Sequence, residues 1–248
     1  MQSEAKIRKS KLGGPLVIIG DGLIATEFKR QEFRSRDTII LASGVSNSTE
    51  ASEIDYARER KLITSLLGEY ASLKVIYFSS VGVSDMSALA ESRYIAHKLE
   101  MENLIKKHTR YYQIFRLPQL VGPNGNPMTI VNFLHRQIAS GRQVTVLRSA
   151  ERNLLDVEDF VKLAIYSIQK YGAQKSGKYE LTAPKNIRVT RIIEILEEII
   201  GRKARINMSN EGSYKPRIDK FAELIADQAG VKFDSEYYYK LLKKYYGK

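Results

Sequence analysis

Short apolar runs alternate with longer amphipathic stretches along this chain, and that alternation sets the expected fold. Leu16 to Ile19 reads as a buried strand, followed at once by a glycine-containing turn and an amphipathic helix to about residue 34. A second buried strand over 38–42 is followed by a long helix over 53–70. A third strand, Val75-Ile76-Tyr77-Phe78, ends in Ser79 and Ser80. The pattern continues with a helix over 91–108 and a strand over 111–117. Repeated strand–helix units with near-continuous apolar strands predict an α/β fold, a parallel sheet covered by helices on both faces.

The second half is more mixed. The turn residues Gly122, Pro123, Asn124, Gly125, Asn126 and Pro127 mark a loop. Helices are expected over 129–140, 157–171 and 190–200, and strands over 143–147, 152–156 and 178–182. An edge strand is expected over 203–208. Two closing helices, 219–229 and 235–246, are expected to lie on the surface, the last rich in Tyr and Lys.

Composition removes several chemistries. The chain has 248 residues and no cysteine, which excludes disulfides, thiolate metal sites and a cysteine nucleophile. Its three histidines have no metal-site spacing, so no metal is expected. No apolar run reaches the roughly 18 residues of a membrane span, and the polar, basic residues 1–14 read as a loose arm without the apolar core of a signal peptide. A cytoplasmic protein is expected. The formal net charge is +12. The basic residues are spread along the chain and interleaved with Glu, as over 53–61 and 91–107, which reads as solvated helix faces and not as a nucleic-acid surface.

Candidate chemistry sits at the strand ends. Gly20-Asp21-Gly22-Leu23-Ile24-Ala25, between a strand and a helix, is a dinucleotide fingerprint in its proper context. Gly20 permits the tight turn, Gly22 lets a pyrophosphate approach the backbone, and Ala25 keeps the helix close to the strand. A second polar turn, Ala42-Ser43-Gly44, ends the next strand, where α/β sheets bind ligands. Tyr94 and Lys98 are four apart and share a helix face, so the ammonium is expected to lower the phenol's pKa toward a working acid/base. A serine hydroxyl at the neighbouring strand end can hold a substrate oxygen against that phenol.

These features stand in one order, followed by Phe115-Arg116-Leu117-Pro118, Val121-Gly122-Pro123, and Arg152 before Asp156-Val157-Glu158-Asp159. The chain thereby resembles the extended short-chain dehydrogenase/reductase family, in particular its nucleotide-sugar epimerases, reductases and dehydratases. The resemblance covers about residues 15–200. The stretch from Ala42 to Ser48 is similar to a subgroup of sugar-nucleotide enzymes of polysaccharide gene clusters. It implies a Rossmann-like NAD(P)-binding domain over 15–122 plus parts of 143–182, and a smaller C-terminal substrate-binding lobe over 123–142 and 183–248. It also implies roles. Ser80 would bond the substrate oxygen, with Ser79 the alternative, Tyr94 would transfer the proton, and Lys98 would hold the nicotinamide ribose. Gly20, Gly22, Leu23, Ile24, Ala42, Ser43, Gly44, Leu117 and Pro118 would line the cofactor. Val81 and Asn132 would contact substrate, Arg152 would grip its diphosphate and Arg217 would assist. A homodimer paired through helices 53–70 and 91–108 is implied as well.

Departures from the family pattern narrow the reading. Only one helix separates the first strand from the Ala-Ser-Gly strand, where the family normally inserts two further strands and helices for the adenosine half of the cofactor. The acidic residue expected about 20 positions after the glycines falls in Ile39-Ile40-Leu41 and is missing. Lys29, Arg30, Arg34 and Arg36 cluster nearby instead, which favours NADP(H), with NAD(H) the alternative. After Ser80 stand Val81 and Gly82, where the family's dehydratases carry Asp-Glu, so dehydration lacks its catalyst. The expected reaction is reduction of a 4-keto group on a nucleotide-linked deoxysugar. The alternatives are a C4 epimerase and a non-catalytic nucleotide-sugar or dinucleotide-binding protein.

Overall fold

A computed structural model of the chain describes residues 16–45, 52–123, 126–172, 175–210 and 214–247. The N-terminal arm, Ser46 to Ser48 of the second turn, and Asn124 and Gly125 lie outside them. The chain divides into two compact units, one reaching to Leu117 and including Val161–Leu181, the other Pro118–Phe160 with Thr182–Lys248. The elements in order are β1 (Leu16–Ile19), α1 (Leu23–Arg30), β2 (Thr38–Leu41), α2 (Glu53–Glu69), β3 (Lys74–Ser80), a 3-10 turn (Val81–Ser84), α3 (Met86–Glu91), α4 (Arg93–His108) and β4 (Tyr112–Leu117). They continue with β5 (Gln119–Val121), α5 (Ile130–Ser140), β6 (Gln143–Leu147), β7 (Glu151–Arg152), β8 (Leu154–Asp156), α6 (Val157–Tyr171) and β9 (Gly177–Glu180). The last are β10 (Ile187–Arg188), α7 (Val189–Ile200), β11 (Arg205–Ser209), α8 (Phe221–Ile225) and α9 (Tyr237–Tyr246).

The first unit is built on a five-stranded sheet in the order β1-β2-β3-β4-β9, every pair parallel. Side-chain alternation sorts its residues to two faces. Val17, Ile19, Ile39, Leu41, Val75, Tyr77 and Ile114 pack with Ile63, Leu66 and Leu67 of α2 and Met101 and Ile105 of α4. The alternate residues turn the other way. Phe28 of α1 lies 5.8 Å from Phe78, which lies 6.3 Å from Phe115, and Gln113 donates to the Ser167 carbonyl of α6 at 3.4 Å. Helices thus cover both faces of a Rossmann-like α/β sheet, as the apolar runs predict. The register carries a further consequence. β1 pairs only with β2, so among the described residues it is the outer edge of the sheet.

Helix boundaries follow local capping. Ser52 and Asp55 form a capping box at the start of α2, each side chain accepting the other's backbone N–H. Ser92 accepts the Ile95 N–H and starts α4, so the single helix expected over 91–108 is preceded by a separate short one, α3. The strand expected over 152–156 is split at Asn153, whose buried amide donates to the carbonyls of Ala183 and Lys185 and accepts the Ala183 N–H. The helix expected over 219–229 shrinks to α8.

The second unit has its own core. Val131, Leu134 and Ile138 of α5, Val144 and Val146 of β6, Ile192, Ile193 and Leu196 of α7, and Leu241 and Leu242 of α9 are all buried together. The edge strand expected over 203–208 forms as β11, parallel to β6. The Tyr/Lys-rich tail is tied to this unit, since Lys244 and Tyr245 reach Asp156 at 2.9 and 2.8 Å. No described helix is long and apolar enough to cross a membrane.

Ile114 is fully buried on β4, a strand paired on both sides, with β3 and β9. Truncating such a side chain removes its transfer energy and leaves a cavity, a loss of about 2–5 kcal/mol. Ile114→Ala is expected to lower the urea midpoint by that equivalent with an unchanged slope, measured by equilibrium unfolding. A loss below about 1 kcal/mol would contradict this packing.

Candidate active site

The glycine turn between β1 and α1 has the geometry its composition predicts. Gly20 adopts φ +120°, and a Cβ there would stand 2.4 Å from the Ala42 carbonyl oxygen. The ends of β1 and β2 can approach only because residue 20 has no side chain. Gly22 differs. Its φ is −71° and a Cβ there would meet nothing within 4 Å, so among the described residues no group fills the space beside it. Gly22 is also the N-cap of α1 and supplies no side-chain cap to the first N–H groups of the helix, which include those of Leu23 and Ile24. An open cradle at a helix N-terminus fits a pyrophosphate. The adenosine half fits less well, because the sheet ends at β1.

The expected basic cluster is partly spoken for. Arg30 pairs bidentately with Glu27 at 2.7 and 2.8 Å, and Lys29 donates to the Gly20 carbonyl at 2.9 Å. Arg34 and Arg36 are exposed.

Ser80 ends β3 and caps the 3-10 turn that follows, its Oγ accepting the Gly82 N–H at 3.2 Å. Its own proton remains available to a substrate oxygen. The turn packs on α4, for a Cβ on Gly82 would stand 2.6 Å from Ile95 Cδ1, next to Tyr94. Val81 is half-buried in this turn. Ser79, the alternative, is buried and its Oγ has no hydrogen-bond partner among the described residues.

Tyr94 and Lys98 share one face of α4, with the Lys98 Nζ 5.7 Å from the centre of the Tyr94 ring. The ammonium, however, is engaged elsewhere. It donates to Glu59 Oε1 at 3.1 Å and to the Tyr77 hydroxyl oxygen at 3.3 Å. Glu59 is 2% exposed, and four donors converge on it: Lys98, the Tyr77 hydroxyl at 2.9 Å, the Val45 N–H at 2.8 Å and His97 Nε2–H at 3.1 Å. Burial pushes its carboxyl up, but the bonds from His97, Lys98, Val45 and Tyr77 prevail and hold it down to about 2. An ionised carboxylate only accepts, so the His97 proton sits on Nε2. Burial pulls the Lys98 ammonium below its ordinary value against the pull of Glu59. Gly44 closes over the pair, since a Cβ there would stand 2.7 Å from Glu59 Oε1 and 2.8 Å from Lys98 Nζ.

The consequence corrects one expectation. Lys98 does not draw the Tyr94 phenol down. Burial, then the Glu59 carboxylate and Tyr56, raise its pKa above the ordinary value. The sequence pattern takes 53–61 for a solvated face, yet Tyr56, Glu59, Ile63, Leu66 and Leu67 form the buried stripe of α2. A single charge on an otherwise apolar helical stripe is the signal that marks Glu59. The same applies to His97, Lys98 and Glu102 on α4, where Glu102 is bidentate to Arg116 at 2.8 Å.

In the second unit, Arg152 is half-buried with its guanidinium 4.7 Å from the Tyr214 ring centre and one N–H on the Glu151 carbonyl at 2.8 Å. Burial lowers its pKa from the ordinary value, and among the described residues no carboxylate faces it. The Tyr214 carbonyl accepts the Glu151 N–H at 2.7 Å, which brings the segment carrying the exposed Arg217 alongside β7. Asn132 spends its amide internally, donating to the Asn126 carbonyl at 2.9 Å and accepting from the Tyr246 hydroxyl. Leu117 and Pro118 are half-buried at the end of β4.

Because Glu59 is held near 2, its stabilisation is complete above the unfolded carboxyl's 4.5 and is lost as pH falls through about 2, on the order of 3 kcal/mol. Glu59→Gln is expected to flatten the decline of stability between about pH 4.5 and 2, read from urea midpoints across that range. An unchanged acid limb would contradict the geometry.

The model of the NAD dependent epimerase/dehydratase family matches residues 30–181. No curated protein matches the chain by sequence. Among solved structures, the UDP-glucose 4-epimerase of Thermus thermophilus, in complex with NAD, is 14% identical with a TM-score of 0.65, over 91% of this chain and 82% of that one. The UDP-glucuronic acid 4-epimerase of Bacillus cereus, with UDP-glucuronic acid and NAD, is 18% identical with a TM-score of 0.66, over 88% and 77%. RMD of Pseudomonas aeruginosa, complexed with NADPH, is 22% identical with a TM-score of 0.61, over 80% and 76%. These likenesses share the fold. The family model covers more than half of the chain, and the chain belongs to the NAD dependent epimerase/dehydratase family.

Proposed function

We propose that the protein reduces a 4-keto group on a nucleotide-linked deoxysugar, in the making of a surface polysaccharide. The observation that carries this reading is the set of Ser80, Tyr94 and Lys98 in one unit, on the end of β3 and the first turns of the helix packed against it. Ser80 orients the keto oxygen by donating its free proton. Tyr94 delivers a proton to that oxygen as charge develops on it. The nicotinamide, when bound, supplies the hydride. Gly20, Gly22 and the first N–H groups of α1 would hold its pyrophosphate, with Ala42, Ser43 and Gly44 lining the site.

One feature favours reduction over the epimerase alternative, and a second argues against dehydration. The sheet ends at β1, so the adenosine half of the cofactor has fewer walls, and a loosely held cofactor exchanges between turnovers as a reductase requires. Val81 and Gly82 offer no acid/base pair for elimination of water. The exposed Arg34 and Arg36 favour the extra phosphate of NADP(H), with NAD(H) the alternative. Arg152, stacked on Tyr214 and facing no carboxylate, is suited to a diphosphate, with Arg217 as a second cation. Binding without turnover, the third reading, would leave the Ser80, Tyr94 and Lys98 set unexplained. A homodimer through α2 and α4 belongs to the proposal. The exposed Arg60–Glu100 and Arg93–Glu53 pairs would present charge to the second copy.

Tyr94→Phe is expected to lower turnover of a 4-keto nucleotide sugar by at least about 100-fold while nucleoside diphosphate binding stays within about twofold. Undiminished turnover would refute the assignment of Tyr94 as proton donor.

A further inference from the structure

Glu59 has no part in the reaction as written above, yet it is a buried carboxylate touching the lysine that the reaction uses. Its four donors come from α4, β3 and the segment after β2. Lys98 Nζ stands 3.1 Å from Glu59 and 5.7 Å from the Tyr94 ring centre, so the ammonium belongs to the carboxylate. The main chain at Gly44 covers both charges, with no room there for even a methyl group.

We propose that Glu59 is a positioning residue that holds the Lys98 ammonium in a closed, charge-balanced pair, so that Tyr94 rests as a phenol and the site gives a proton rather than takes one. The proposal rests on the reductase reading and deepens it. Among the described residues, the groups facing Tyr94 are Glu59 and Tyr56 from α2, Tyr77 from β3 and Lys98 from its own helix. Two of them carry charge, and the two oppose each other at 3.1 Å. An unpaired ammonium in the same place would favour phenolate.

The resting state of Tyr94 decides which direction of the reaction is ready. In reduction the carbonyl carbon gains hydride from the reduced nicotinamide cofactor, the carbonyl oxygen gains the Tyr94 proton, the Tyr94 O–H bond breaks, and solvent reprotonates the phenolate. In oxidation Tyr94 must already be phenolate, to accept the sugar hydroxyl's proton as hydride leaves the carbon. An epimerase has to begin with oxidation. A site that rests as phenol is prepared for the first direction.

The test is a tyrosinate absorbance titration of the full-length protein, free of cofactor and substrate, beside Tyr94→Phe. The two curves are expected to coincide between roughly pH 6 and 9. A single-tyrosine step in that range, present in the wild type and absent from Tyr94→Phe, would overturn the proposal without any change at Glu59. Glu59→Gln is then expected to gain one tyrosine ionising about one to two pH units or more below its wild-type position, and the Glu59→Gln/Tyr94→Phe double variant to lose it. A folded Glu59→Gln that titrates like the wild type would also overturn it. The first comparison stands even where Glu59→Gln does not fold. Neither titration involves a sugar, so failure to reduce any keto sugar would count against the proposed function and not against the role of Glu59.

Discussion

A carboxylate taken out of water has to be met by donors, and the first unit is arranged around meeting one. Glu59 on α2 is bonded by β3 through Tyr77, by α4 through His97 and Lys98, and by the segment after β2 through Val45. Each partner is thereby fixed relative to the others: the strand that ends in Ser80, the helix whose first turn carries Tyr94, and the turn that carries Gly44. Removing one partner of such a buried pair leaves an uncompensated charge, typically a loss of about 3–5 kcal/mol. The same pair that orders the fold therefore also sets the electrostatics beside the phenol.

The second constraint is the edge of the sheet. The strand order β1-β2-β3-β4-β9 runs without a reversal, so the crevice that a reversal of strand order creates in doubly wound sheets has only one complete wall here. The glycine turn is formed, with Gly20 held at positive φ against Ala42 and, among the described residues, open space beside Gly22. The turn proposed to hold the pyrophosphate is thus formed, while the strands that would hold the adenosine are not part of the described sheet. A site of this form suits a cofactor that arrives and leaves with each turnover.

Much of this was legible in the sequence because apolar runs report burial on both faces of a parallel strand. β1, β2, β3 and β4, the long helices α2 and α4, and the shortened sheet all follow from that pattern and from the spacing between the glycine turn and the Ala-Ser-Gly turn. The glycine turn, Ser80 and the Tyr94/Lys98 face were also visible, because their chemistry depends on local spacing. What spacing could not show was partnership across elements. Glu59 looks like one charge among many over 53–61, and only the packing of α2 against β3 and α4 reveals that it takes the Lys98 ammonium. Asn132 and Asn153 are similar cases, polar residues whose amides are spent on bonds to distant loops and the C-terminal helix. The split between α3 and α4 turns on a single cap at Ser92, which a periodicity argument over 91–108 runs through.

The central claim is a family member whose shortened sheet exchanges its cofactor during reduction. Calorimetric titration of the purified protein with NADPH and then NADH, with and without a nucleoside diphosphate, tests it most directly. The account predicts reversible binding with Kd on the order of micromolar, about −8 kcal/mol, tighter for NADPH than for NADH. A cofactor that copurifies and does not exchange, or a protein that binds the nucleoside diphosphate and neither cofactor, would contradict it.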